Sequence, residues 1–204
     1  APVVLGYYFT SDRGGRASGR LPAPVMRADA LPQGMHPLSW DGYGATIPQL
    51  QRAARGSGFF NPVVDPDGVV RALPLLGEYR GGLYESLAVA VLRQYLGSAA
   101  IGVVGDALVL KGSRASMRIP MSAGMTALVP FASARASDTR AESGARTQGR
   151  FRYLSAADVV AGRVDPDVFK DRIVLVGTSA PGLTDLRATP LSAAFPGVEI
   201  HASL

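Results

Sequence analysis

The sequence predicts an α/β fold: a mixed sheet with a buried central strand flanked by helices, plus antiparallel hairpin elements. Three observations carry this expectation. The run Ile173-Val174-Leu175-Val176, closed by Gly177, is continuously apolar and β-branched, as in a strand covered on both faces. Along residues 83–96, Leu83, Leu87, Ala90, Val91 and Gln94 fall on one helical stripe, Val89 and Leu92 widen its apolar face, and Gly97 supplies a left-handed cap, so this helix is expected to pack across the sheet. Residues 101–104, 107–111 and 117–120 are three short strand-like runs, the last two separated by the turn-prone Gly112-Ser113, which is antiparallel material.

The remaining elements follow in order. Residues 2–9 are β-branched and aromatic up to the polar stretch 11–19, a buried strand and then a loop. The density of Pro and Gly over 20–44 excludes long regular elements there. A short helix fits 47–55, with Pro48 in its first turn and Gly56 just past its end. Residues 58–64 and 69–76 are strand-like, and Asp65-Pro66-Asp67-Gly68 between them has the residue types a type I turn prefers, which gives a hairpin. The stretch 132–149 holds no aliphatic larger than Ala, so it is expected to be a mobile surface loop. Ser155-Ala156-Ala157-Asp158 is a capping box opening a short helix that ends at Gly162, and Asp165-Pro166 supplies the N-cap and first-turn Pro of another. The loop rich in Thr, Ser, Gly and Asp that leaves the carboxyl end of 173–176 lies where open α/β sheets bind ligands.

A chain of 204 residues, 47% apolar and 18% charged, suffices for a single domain over 1–204 with a sizeable core. The formal charge of +5 comes from 19 Arg against 2 Lys, dispersed from Arg13 to Arg187 rather than gathered on one face, so no nucleic-acid partner is expected. The absence of Cys removes disulfides, thiolate nucleophiles and Cys-ligated zinc together. His36 and His201 are the only histidines and build no His-rich metal site. Asp65-x-Asp67-Gly68 lacks the further acids of a calcium loop. Gly42-x-Gly44 and Gly56-x-Gly58 each lack the third Gly of a dinucleotide fingerprint, so neither cofactor nor metal is expected. No apolar run approaches the roughly 20 residues of a membrane span. The chain opens inside a core strand and stops at the start of a helix, which suggests a piece of a longer protein.

Gly177-Thr178-Ser179-Ala180-Pro181, followed by Asp185 and His201, has the Ser, Asp, His order of α/β-hydrolases, but Pro181 stands where the elbow needs Gly and Asp185 follows too closely. The surrounding pattern is richer: Gly177-Thr178-x-x-x-Gly182-Leu183-x-Asp185-x-x-x-Thr189-Pro190, then Pro196-Gly197-Val198-Glu199-Ile200-His201-Ala202. This passage closely resembles the C-terminal signature of the second type of CHASE domain, the cyclase/histidine-kinase-associated sensory extracellular family. Tyr153 to Gly162, Asp65-x-Asp67-Gly68-x-x-Arg71 and Tyr84-Glu85-Ser86-Leu87-Ala88 resemble other parts of the family pattern. The resemblance implies a non-catalytic input module on the periplasmic or extracellular face of the membrane. Its membrane helices and its cytoplasmic nucleotide cyclase or kinase would lie outside this chain, and its stimulus would be a small molecule or a protein. The role admits a homodimer, and the Arg excess favours an anionic stimulus by charge sign alone. Thr178, Asp185, Thr189, Glu199 and His201 are expected to form a polar ligand-binding or switch cluster at the carboxyl end of the central strand. Two alternatives stay open: a periplasmic α/β-hydrolase using Ser179, Asp185 and His201, and a scaffolding ectodomain without a ligand.

Overall fold

Tyr7 and Phe9 point inward and Tyr8 outward from the first long strand, the two-residue period of a strand with one covered face. The computed structural model describes residues 2–11, 14–131, 146–148, 151–178 and 185–204, with 146–148 taken as backbone only. Two compact units divide the chain, Ala1–Val129 with Leu204, and Pro130–Ser203.

The first unit opens with β1 (Val4–Thr10), β2 (Ala17–Ser18), β3 (Met26–Arg27), β4 (Ser39–Trp40), β5 (Gly42–Gly44), α1 (Pro48–Ala53) and β6 (Gly56–Phe59). β1 runs antiparallel to β5 and parallel to β6 in a sheet of order β2-β5-β1-β6. It continues through β7 (Ala72–Pro74), β8 (Leu76–Tyr79), β9 (Gly82–Glu85), α2 (Leu87–Tyr95), β10 (Ala100–Val104), β11 (Ala107–Lys111), β12 (Ser116–Pro120) and β13 (Thr126–Leu128). β3-β9-β8-β4 is a second mixed sheet and β10-β11-β12 an antiparallel meander, while β7 pairs with β13. α2 packs on β6 and β1.

The α/β class holds, and the central strand of a mixed sheet is present, but it is β1 rather than 173–176. Those residues form no strand, and Ile173, Val174 and Val176 are 56%, 51% and 90% exposed. An apolar run is buried on both faces only where neighbouring strands accept its backbone groups, and among the described residues none does. Val174→Asp, which a central strand would not survive, is therefore expected to shift stability by no more than about 0.5 kcal/mol. Thermal melting checks this, and loss of a cooperative transition would contradict the exposed placement.

The helix expected from residue 83 starts at Leu87, because Gly82–Glu85 is instead the second strand of a hairpin with β8. Arg80 and Gly81 turn that hairpin, with φ of 50° and 77°, the left-handed pair that matches the twist of the flanking strands. The turn at 65–68 forms as expected: the Gly68 N–H donates to the Asp65 carbonyl at 2.8 Å, and Val63 bridges to Ala72. Arg71 clamps it through Asp65 at 2.6 Å and Asp67 at 2.7 Å. The flanking strands are shorter than expected, because β6 ends at Phe59 and β7 turns to pair with β13.

Two cores stabilise this unit. One gathers Leu75, Leu76, Leu83, Val89, Leu108, Leu110 and Met125. The other is aromatic, Tyr7, Phe9, Phe59, Tyr79 and Tyr84, with Trp40 stacked on Phe9 at 5.0 Å. At the start of α2 the buried Glu85 accepts from the Arg93 guanidinium at 2.8 Å through Oε1. Its Oε2, the Tyr7 hydroxyl and the Ser86 hydroxyl are buried without hydrogen-bond partners among the described residues. Burial raises the Glu85 carboxyl above its ordinary value of 4.5, with Arg93 opposing.

The second unit contains β14 (Arg146–Gln148), β15 (Phe151–Tyr153), α3 (Ala156–Val160), a single 3-10 turn Pro166–Phe169, β16 (Leu186–Thr189), β17 (Ser192–Pro196) and α4 (Gly197–Ser203). β14 and β15 pair antiparallel, so three residues of the expected loop are strand, while 132–145 and 149 lie outside the described residues. Asp165 caps as expected, accepting from the Asp167 N–H at 3.0 Å. The capping box at Ser155 does not form through side chains: only the Ser155 carbonyl is engaged, and Asp158 turns to Arg163 at 2.6 Å.

Candidate functional site

The hairpin of β16 and β17 organises the site. At its tip the Thr189 hydroxyl donates to the Ser192 carbonyl and accepts from the Ser192 N–H, both at 3.3 Å, which satisfies the polar groups of the Pro190-Leu191 turn. At its base, one step beyond the Leu186 to Pro196 pair, the Gly197 N–H donates to the Asp185 carbonyl at 2.7 Å. Gly197 is also the first residue of α4, so hairpin base and helix start share one hydrogen bond.

That joint requires glycine for space. A Cβ on Gly197 would collide with the Asp185 carboxylate and stand 3.1 Å from its carbonyl oxygen. The Thr178 hydroxyl reaches the other carboxylate oxygen at 3.4 Å, long for an oxygen pair and correspondingly weak. A Cβ on Gly177 would lie 2.7 Å from the Val198 Cβ, so the backbone just before Thr178 rests on the first turn of α4. Gly197→Ala is expected to cost about 1–3 kcal/mol by overpacking. Urea denaturation measures it; a wild-type midpoint would mean that the Asp185 side chain yields freely.

Glu199 faces elsewhere. It is buried, and its Oε2 accepts from the Tyr153 hydroxyl at 2.8 Å, the partner a buried carboxylate needs. Burial and then the bond to Glu199 both raise the Tyr153 phenol. His201 is half-buried two residues further along α4, about 200° around the helix from Glu199 and one turn above Gly197.

The structure thus brings together Thr178 and Asp185, with Gly197 as their seat. Thr189 stands at the opposite end of the hairpin, and Glu199 and His201 project from different sides of α4. Ser179, the nucleophile of the hydrolase alternative, lies outside the described residues. Sequence reasoning passed over Tyr153 as the partner of Glu199, since nothing local marks a bond spanning 46 positions. It also passed over the Glu85–Arg93 pair, because Glu85 sits on a strand and helical spacing does not connect the two. Among the described residues no group of three or more His, Asp or Glu is placed to hold a metal ion, and no helix is long and apolar enough to cross a membrane.

The CHASE2 domain family matches residues 5–204, and the chain belongs to that family, whose members are non-catalytic extracellular sensory domains of signalling receptors. No curated protein and no solved structure matches it.

Proposed function

We propose that this chain is the periplasmic or extracellular input domain, folding as one functional domain, of a transmembrane receptor that controls a cytoplasmic nucleotide cyclase or kinase. Membrane helices outside this chain anchor it, and a small molecule or protein is its stimulus. One observation carries the reading: Asp185 engages Gly197 through its carbonyl while its carboxylate meets Thr178, so loop, hairpin and the start of α4 share a single residue. A stimulus alters output only if it binds two conformations with different affinity, and such a joint is where two arrangements can differ at low cost. Thr178 and Asp185 act as the switch, Thr189 fixes the hairpin tip, and Glu199 and His201 sit on α4, the helix that a displacement of Asp185 would move. The test is the full-length receptor in membrane vesicles, assayed for cyclic-nucleotide or phosphoryl output. Asp185→Asn and His201→Ala, each verified to melt cooperatively, are expected to change basal output. Unchanged output in both variants would overturn the switch.

A further inference from the structure

The hairpin of β8 and β9 and the strand beside it enclose a concavity on the first unit that the core does not explain. β3 lies on β9 with Arg27 opposite Gly82, and the turn of the hairpin brings Arg80 next to them. The concavity measures about 240 Å3 and is lined by Arg27, Arg80, Tyr79, Tyr84, Pro24 and Gly82. Glycine keeps it open: a Cβ on Gly82 would lie 2.9 Å from the Pro24 Cβ and 3.3 Å from the Tyr84 ring.

Its polar groups are underused. Arg80 holds a left-handed backbone, φ 50°, at a turn position where Asn or Gly would be unstrained. Among the described residues Arg80 makes no ion pair, and its guanidinium stands 5.3 Å from the centre of the Tyr79 ring. Asp29 takes Nε and one terminal nitrogen of Arg27, at 3.1 and 2.8 Å, and leaves the other terminal nitrogen without a partner among the described residues. The Tyr84 hydroxyl makes no hydrogen bond to the described residues. Glu78, the other nearby acid, is occupied by the Gly81 N–H and the Ser39 hydroxyl and does not line the space.

We propose that this concavity binds a small organic carboxylate carried on a planar, apolar body. The carboxylate lies between the remaining terminal nitrogen of Arg27, which takes one oxygen, and the fork of the Arg80 guanidinium. The planar body meets the small parts of the otherwise buried Tyr79 and Tyr84 rings that line the concavity. The volume is below the roughly 300–1,000 Å3 of sites for drug-sized ligands, which limits the body to about one ring. As the stimulus of the receptor, this ligand rests on the sensory reading above; its binding does not.

Trp40, the only tryptophan, is the reporter: it pairs with Tyr79 across the β4–β8 ladder and stacks on Phe9, which stacks on Tyr79. Benzoate, its neutral isostere benzamide and inorganic phosphate are titrated into the 204-residue chain, followed by Trp40 fluorescence and calorimetry. Saturable benzoate binding is expected, with benzamide and phosphate weaker by roughly tenfold or more, the worth of a charged hydrogen bond. Arg80→Asn suits the left-handed turn and preserves the fold, yet is expected to lose benzoate affinity by a similar factor, as is Arg27→Ala. Absence of benzoate binding at millimolar concentration, equal binding of benzamide, or wild-type affinity in Arg80→Asn overturns the site. Equal binding of phosphate overturns the planar body. Benzoate binding without any change in full-length receptor output overturns the stimulus role alone, whereas an Asp185→Asn effect on output without benzoate binding overturns the site and spares the sensory reading.

Discussion

Phe59→Ala is expected to destabilise the first unit by about 3–5 kcal/mol, a large share of the ~5–15 kcal/mol that holds a domain of this size. Phe59 closes β6 with no exposed surface, and its ring centre lies 5.5 Å from those of both Phe9 and Trp40 and 6.5 Å from that of Tyr7. A ring held by several inclined aromatic partners leaves a void that collapses poorly, so the cost of the cavity adds to the lost transfer energy. Phe59→Leu retains most of the volume and should cost less than half as much. Urea denaturation gives both values, and near-ultraviolet dichroism of Trp40 reports whether the cluster stays ordered. A loss below about 1 kcal/mol for the alanine variant would mean that the aromatic cluster is not a close-packed core.

Arg93→Ala should be nearly as damaging, by about 3–5 kcal/mol at neutral pH, because it leaves the buried Glu85 carboxylate without its countercharge. Part of the loss is independent of pH, since Arg93 Nε also donates to the Ala99 carbonyl at 2.8 Å. The rest has a definite sign. The folded Glu85 carboxyl is raised above its ordinary 4.5 by burial, against Arg93. Between the unfolded and folded values the native state therefore binds more protons than the unfolded state. The stability this supplies is complete below about 4.5 and is lost as pH rises through the folded value. Removing Arg93 raises the folded value further, so the variant should recover part of its deficit in acid. The double variant Arg93→Ala/Glu85→Gln should recover part of it at neutral pH. A deficit that is the same in acid and at neutrality would show that Glu85 is not the cause.

Where each residue carries a local signal, the fold was legible. The meander at Ala100–Val104, Ala107–Lys111 and Ser116–Pro120 matches its expectation closely, because short apolar strands and turn residues alternate there. Asp165-Pro166 capped as its side chains dictate. The boundary between β9 and α2 was not legible, since all four residues of Gly82–Glu85 are buried and a strand without an exposed face shows no two-residue period. β16 and β17 were missed because Leu186-Arg187-Ala188-Thr189 and Ser192-Ala193-Ala194-Phe195-Pro196 are poor in β-branched residues and their pairing is set by the turn between them. In the candidate site, Thr178, Asp185 and His201 were visible as residue types in a family pattern. The seat of Asp185 on Gly197 depends on the length of the hairpin that joins them, which no motif records.

The bare run 173–176 has a colloidal consequence. Four uncharged, β-prone side chains whose backbone has no strand partner among the described residues are what intermolecular strands recruit. Lys170, Asp171 and Arg172 stand directly before the run, and Asp171 adopts a left-handed backbone with φ 55° that interrupts an extended chain at that point. Charges in this position act as gatekeepers, keeping neighbouring copies from zipping together. Their reach is about one Debye length, roughly 10 Å at 0.1 M salt and 3 Å at 1 M. Added salt is therefore expected to lower this short-range barrier between copies, and Val174→Asp, expected to be neutral for the fold, places a further charge inside the segment through which copies would associate.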